Sequence, residues 1–146
     1  MKIAYLVFGI LFTSLASAQS IPTKESARSE EFCSSEWTKR GQLDNSMYQY
    51  CLRQELDGYQ EFVFLAGKYK AQPWIQNAIN YSVQEWTKKG LRQDQMVAYT
   101  LKQITEGWED LQYESKQPNF NKNKAAACTS KWAPQYNMVT YCYKQD

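Results

Sequence analysis

The hexapeptide EWTKRG at residues 36–41 returns as EWTKKG at residues 85–90, 49 positions later. A chain that spells one segment twice is constrained to build one supersecondary unit twice, each copy burying its apolar face against the next. Placed without a gap, residues 36–54 and 85–103 agree at nine of 19 positions. Average composition would give about one match. A shorter third copy follows: CSSEW at residues 33–37 becomes CTSKW at 128–132, and MYQYCLRQ at 47–54 becomes MVTYCYKQ at 138–145. Nine residues separate Trp37 from Met47 but five separate Trp132 from Met138, a deficit of about one helical turn in the connection.

The punctuation of the unit predicts two helices joined by a tight turn. Lys39-Arg40 and Lys88-Lys89 precede Gly41 and Gly90, and cations closed by glycine mark a helix C-terminus. Asp44 then offers an N-cap, and Pro134 takes over the turn in the third copy. Apolar periodicity agrees. Ile75, Ile79, Val83 and Trp86 share one face, and Val97, Leu101, Ile104, Trp108 and Leu111 follow at alternating spacings of 4 and 3. Tyr48, Leu52, Tyr59 and Phe62 hold the matching places in the first unit, where Glu55 breaks the stripe.

These signals predict helices over 26–40, 45–68, 73–89 and 93–114, with two shorter ones flanking Pro134. Pro73 fits a first helical position. Residues 19–24 read as a frayed terminus and 115–124 as a polar linker. No hairpin signal of the Asn-Gly type occurs. The expected fold is all-α: one domain of three helical hairpins over about 26–68, 73–114 and 125–145.

Facing residues of an antiparallel hairpin lie equally far from its turn. Cys33 and Cys51 are centred on position 42, beside Gly41, and Cys128 and Cys142 on position 135, beside Pro134. Trp37 with Met47, and Trp132 with Met138, share those centres. That coincidence selects 33–51 and 128–142 from the three possible pairings, giving two stapled hairpins. Ser82 and Thr100 hold the cysteine places of the middle copy. With no C-x-x-C and no histidine to share a metal, the cysteines read as structural disulfides.

Trp37, Met47 and Tyr50 recur as Trp86, Met96 and Tyr99, and again as Trp132, Met138 and Tyr141. The trio reads as a repeated core rather than a set of aromatic ligand platforms. A cysteine with tryptophan four positions on, closed by Met-x-x-Tyr-Cys and then Arg-Gln or Lys-Gln, resembles a short module of uncharacterised exported bacterial proteins. The likeness is strongest over residues 128–145, and it implies no activity.

Residues 1–18 read as a cleaved leader, with Lys2, the apolar run IAYLVFGILF and the small-x-small site Ala16-Ser17-Ala18. The run is too short to cross ~30 Å of hydrocarbon comfortably. The mature chain, residues 19–146, is therefore expected in the periplasm or outside the cell, where cysteines oxidise. Seventeen Lys and Arg stand against 15 Asp and Glu, a net charge of +2, or +1 once Lys2 leaves with the leader. That balance argues against nucleic acid, whose binding neutralises many phosphates, and supplies no polybasic run for an anionic membrane.

The absence of histidine removes the commonest general base and the commonest transition-metal ligand. No phosphate loop, nucleophile elbow or metal motif is present, and no cofactor is called for. Paired carboxylates remain, Glu55 with Glu61 or Glu106 with Glu109 and Asp110. Glycosidases use such pairs, and solvated helix faces also produce them. Asn80-Tyr81-Ser82 matches a glycosylation sequon inside a helix. The residue set points to a non-catalytic, exported helical-repeat protein of the cell envelope that binds another protein, as inhibitor, immunity factor or assembly subunit. A small envelope glycan hydrolase working through paired carboxylates is the alternative.

Overall fold

The computed structural model describes residues 20–145, so the leader read at residues 1–18 lies outside the described residues. Within them the elements run α1 (Thr23–Trp37), β1 (Thr38–Lys39), β2 (Gln42–Leu43), α2 (Asn45–Lys68), α3 (Ile75–Glu85), β3 (Thr87–Lys88), β4 (Leu91–Arg92), α4 (Asp94–Glu114), α5 (Lys122–Trp132) and α6 (Tyr136–Lys144). The all-α expectation holds. Helices pack as the pairs α1–α2, α3–α4 and α5–α6, and α4 lies between α2 and α6. No helix among the described residues is long and apolar enough to cross a membrane.

Both disulfides form as the centring argument requires. Cys33–Cys51 pins α1 to α2 with Cα atoms 5.7 Å apart, and Cys128–Cys142 pins α5 to α6 at 5.8 Å. Each closes a short loop and so restricts the unfolded chain, a stabilisation of about 3 kcal/mol.

The connections correct the reading of the opening motif. Lys39-Arg40-Gly41 and Lys88-Lys89-Gly90 are not helix ends but β-hairpin tips. The helices stop at Trp37 and Glu85, and Thr38 and Thr87 each begin a two-residue strand paired antiparallel with the next. Arg40 and Gly41 have φ of 52° and 77°, Lys89 and Gly90 have 52° and 80°. Two successive positive φ values make a type I′ turn, whose twist matches that of the flanking strands. The amides of Asp44 and Gln93 close the two tips onto the carbonyls of Trp37 and Trp86, both at 3.0 Å. The search for Asn-Gly missed them because a basic residue fills the first turn position. The third pair has no strand tip: Ala133, Pro134 and Gln135 join α5 to α6 directly. The residues missing there belong to a β-ribbon, not to a helical turn.

Other boundaries shift modestly. Helix α1 starts at Thr23, three residues before the expected Ser26, so part of the supposed frayed terminus is helical. Helix α3 starts at Ile75, with Pro73 in the turn before it. Helix α5 starts at Lys122 inside the supposed linker, because the Asn121 side chain caps it by accepting from the Lys124 amide at 3.0 Å. Asp44 caps α2 as expected, accepting from the Met47 amide at 3.1 Å.

Two apolar clusters form the core. One gathers Leu65, Tyr69, Trp74, Ile75, Ala78, Leu101 and Ile104; the other Leu111, Ala125, Cys128 and Val139. The recurring trio read as core is only partly so. Trp37, Trp86, Trp132, Met47, Met96 and Met138 are half-buried, while Tyr50, Tyr99 and Tyr141 are more than half exposed. Helical phase explains the correction. The inward arc of α4 runs through Val97, Ala98, Leu101, Ile104 and Thr105, and Tyr99 falls outside it at 100° per residue.

Candidate functional site

The break in the apolar stripe at Glu55 leads to a charged cluster where α2 meets the start of α4. Glu55 is 3% exposed and Asp94, the first residue of α4, is fully buried. The Glu55 carboxylate accepts the Asp94 backbone amide, which stops one orphan donor of the helix N-terminus from being buried unpaired. Asp94 is gripped by Arg28 of α1 at 2.7 Å and by Arg92 of β4 at 2.5 Å, and both arginines also meet Glu25. Three carboxylates and two guanidiniums thus join α1, α2, β4 and α4. Burial pushes the Glu55 carboxyl up to about 7, and the neighbouring Asp94 charge adds to the rise against the pull of the backbone amides and Arg28. Arg28 loses hydration by burial, but Asp94 and Glu25 outweigh that and hold it above its usual value.

One turn beyond Glu55, Gly58 lies against the backbone of Asp94 and Gln95, where a side chain would collide with main-chain atoms. Helix α4 does the same for α6. Gly107 faces the backbone of Tyr136 and Asn137, and Thr140 donates to the Gly107 carbonyl at 2.7 Å. Gly58 and Gly107 are 49 residues apart, and Gln95 and Asn137 are 42 apart, the offsets of the recurring motifs. The ion pairs keep step: Glu61–Lys102 at 3.4 Å and Asp110–Lys144 at 3.5 Å obey the same shifts.

Moved by these offsets, the five charged residues of the first junction fall on Trp74, Asn77, Ile104, Pro134 and Tyr136 in the second. There, rings replace ions. Trp74 sits 5.1 Å from Tyr136 and 5.4 Å from Trp108, centroid to centroid, within the range of favourable aromatic pairs.

The carboxylates considered for catalysis do not converge on a cleft. Glu55 is sealed beneath α4, Glu61 and Asp110 are the exposed ion-pair partners above, and Glu109 takes Lys68 at 2.9 Å and the Tyr69 hydroxyl. Those two donors, Tyr69 first, hold Glu109 below its usual carboxylate value. Glu106 is exposed and forms no ion pair among the described residues. All four cysteines are bonded, and no three acidic or sulfur side chains among the described residues group as metal ligands.

The exposed faces of α2 and α4 repeat as well. Tyr50, Gln54, Asp57, Glu61 and Phe64 on α2 correspond to Tyr99, Gln103, Glu106, Asp110 and Tyr113 on α4. Position by position they share character and degree of exposure, and Phe64 and Tyr113 are each 66% exposed. Sequence reasoning missed Phe64, Tyr113 and both glycines because the comparison of copies stopped at Gln54 and Gln103. Carrying it ten residues further exposes all four. Comparison with known proteins returns no matching family model, no matching characterised protein and no matching solved structure.

Proposed function

We propose that this is a non-catalytic exported protein of the cell envelope that binds another protein through the solvent face of α2 and α4. The carrying observation is the duplicated exposed row of aromatic, acid and aromatic: Tyr50, Asp57, Phe64 and Tyr99, Glu106, Tyr113. Solvent gives no reason to hold four large rings at matched surface places. Such rings are the usual anchors of interfaces, and exposed apolar groupings mark interaction sites. Neither Asp57 nor Glu106 forms an ion pair among the described residues, so the complementary partner offers apolar sockets flanked by Lys or Arg. Inhibitor, immunity and assembly roles all use such a contact. The two disulfides fit an oxidising compartment, periplasmic or extracellular.

The test compares wild type with Y50A/F64A/Y99A/Y113A as bait in the source organism's envelope fraction, then measures affinity for the protein recovered. Loss of that protein from the variant, with an unchanged helical spectrum and affinity lower by at least about 100-fold, is expected for removed anchors. Equal capture by both baits sinks the reading.

A further inference from the structure

Between α3 and the α5–α6 connection lies a cleft of about 330 Å³, lined by Trp74, Asn77, Asn80, Tyr81, Gln84 and Pro134. Its origin is the register just described. Asn77 and Pro134 stand where the first junction has Arg28 and Arg92, whose long side chains occupy the corresponding ground with Glu25 and Asp94. At the second junction both guanidiniums are withdrawn, and so are the carboxylates they met. What is left is open space with a lining that carries no charge.

We propose that this cleft binds a neutral saccharide of one or two rings. Its volume lies at the small end of ligand sites, roughly 300–1,000 Å³. An ionic ligand would give up hydration there with no counter-charge to receive it. Asn77, Asn80 and Gln84 follow one face of α3 at spacings of three and four, a row about 10 Å long. That is the span of two sugar rings. Each amide both donates and accepts, as each sugar hydroxyl does.

These groups are available. Asn77 and Gln84 make no side-chain hydrogen bond among the described residues, and Asn80 uses only its oxygen, accepting from Gln76 at 3.0 Å. Trp74 is 9% exposed, and its indole N–H is buried without a partner. That donor carries no accessible surface, so Trp74 contributes packed ring area to the lining and the three amides contribute the hydrogen bonds. Half-buried Tyr81 adds an aromatic ring to the lining, and aromatic rings pack well against the apolar C–H face of a sugar.

The experiment titrates the isotope-labelled, disulfide-bonded protein with glucose, N-acetylglucosamine and its β-1,4-linked dimer, reading backbone and side-chain amide shifts. Saturable shifts confined to Asn77, Asn80, Gln84 and the Trp74 indole are expected, strongest for the dimer. Loss of one amide in Asn77→Leu should weaken binding roughly fivefold. Asn77→Arg, which installs the first junction's residue, should abolish it while the remaining shifts stay native. Glucuronate and protonated glucosamine should bind several-fold more weakly than glucose. No saturable shift from any of the three neutral sugars would overturn the proposal, as would shifts elsewhere or an Asn77→Arg variant that binds like wild type. Tighter saturation by N-acetyl-alanyl-alanine amide would reassign the cleft to peptide amides and equally overturn it.

Discussion

The junction of α2 with α4 and that of α4 with α6 are built on one geometry and filled with opposite chemistry. Both bring a helix N-terminus onto a glycine, Gly58 in one and Gly107 in the other. Both carry a surface ion pair at the same register. Yet Glu25, Arg28, Glu55, Arg92 and Asp94 fill the first, and Trp74, Asn77, Ile104, Pro134 and Tyr136 the second. Backbone approach therefore sets the stacking of the helices, and the side chains around it are interchangeable between an ionic and an aromatic set. The ionic version is sensitive to single losses, because removing one partner leaves another charge buried. The aromatic version tolerates loss by degrees, since ring contacts decline with area.

The largest break in that comparison comes from Asp94→Ala. It removes the carboxylate that both Arg28 and Arg92 grip and leaves Glu25 as their one ion-pair partner among the described residues, and urea unfolding should show a loss of about 3–5 kcal/mol. The matching change Tyr136→Ala removes area without stranding a charge, and should cost less in the same assay. If the two losses are equal, the chemical contrast is wrong.

Next in size are the glycines. Gly58→Ala and Gly107→Ala each force a methyl into a neighbouring helix backbone, so each should cost about 1–3 kcal/mol. Equal losses in denaturant midpoints sharpen the claim of common geometry. A neutral result at either site removes that junction from it.

The pH response separates the junctions further. Glu55 has a folded value of about 7 against an ordinary value of 4.5. Because the folded value is raised, the folded state binds the proton more tightly. Stability attributable to Glu55 is thus greatest below pH 4.5 and falls as pH rises to about 7, by a total of about 3 kcal/mol. Glu55→Gln should flatten this slope, with the variant gaining on wild type between pH 5 and 8. Ile104 holds the corresponding place, so Ile104→Val should shift stability by the same amount at every pH.

The smallest effect is expected at the surface. Lys102→Ala breaks one exposed pair and Lys144→Ala two, to Asp110 and Glu114, and each should cost less than about 1 kcal/mol, vanishing in high salt. A larger loss from either would show the ion pairs, rather than the glycines, holding the helices in register.

Much of this was legible in the chain. The centring of Cys33 with Cys51 and of Cys128 with Cys142 depends only on antiparallel geometry, so both bridges could be read directly. The span of α2 was legible because Asp44 caps it and the chain then leaves the helix after Lys68. The strand tips were not, since Lys-Arg-Gly and Lys-Lys-Gly carry the signs of a helix end as well as those of a type I′ turn. Only the next residues, Gln42 and Leu91, decide by pairing back across the turn. The outward tyrosines are not legible, because recurrence marks a residue's place in the unit and not its burial. The charged junction was half visible: Glu55 was conspicuous as a break in a stripe. Its partners Glu25, Arg28 and Asp94 lie on other helices, and no periodicity within one helix reveals them.

The strand tips have a consequence for altering this molecule. The bridged pairs hold their Cα atoms 5.7 Å apart with a tip and 5.8 Å apart without one. The tip is therefore an appendage whose length the helical pair does not feel. Residues between Lys39 and Gln42 can serve as a port for grafted peptide, whereas the second tip is tied to the charged junction through Arg92. An inserted epitope at the first tip would project from the body while the Cys33–Cys51 bridge behind it keeps the scaffold in register.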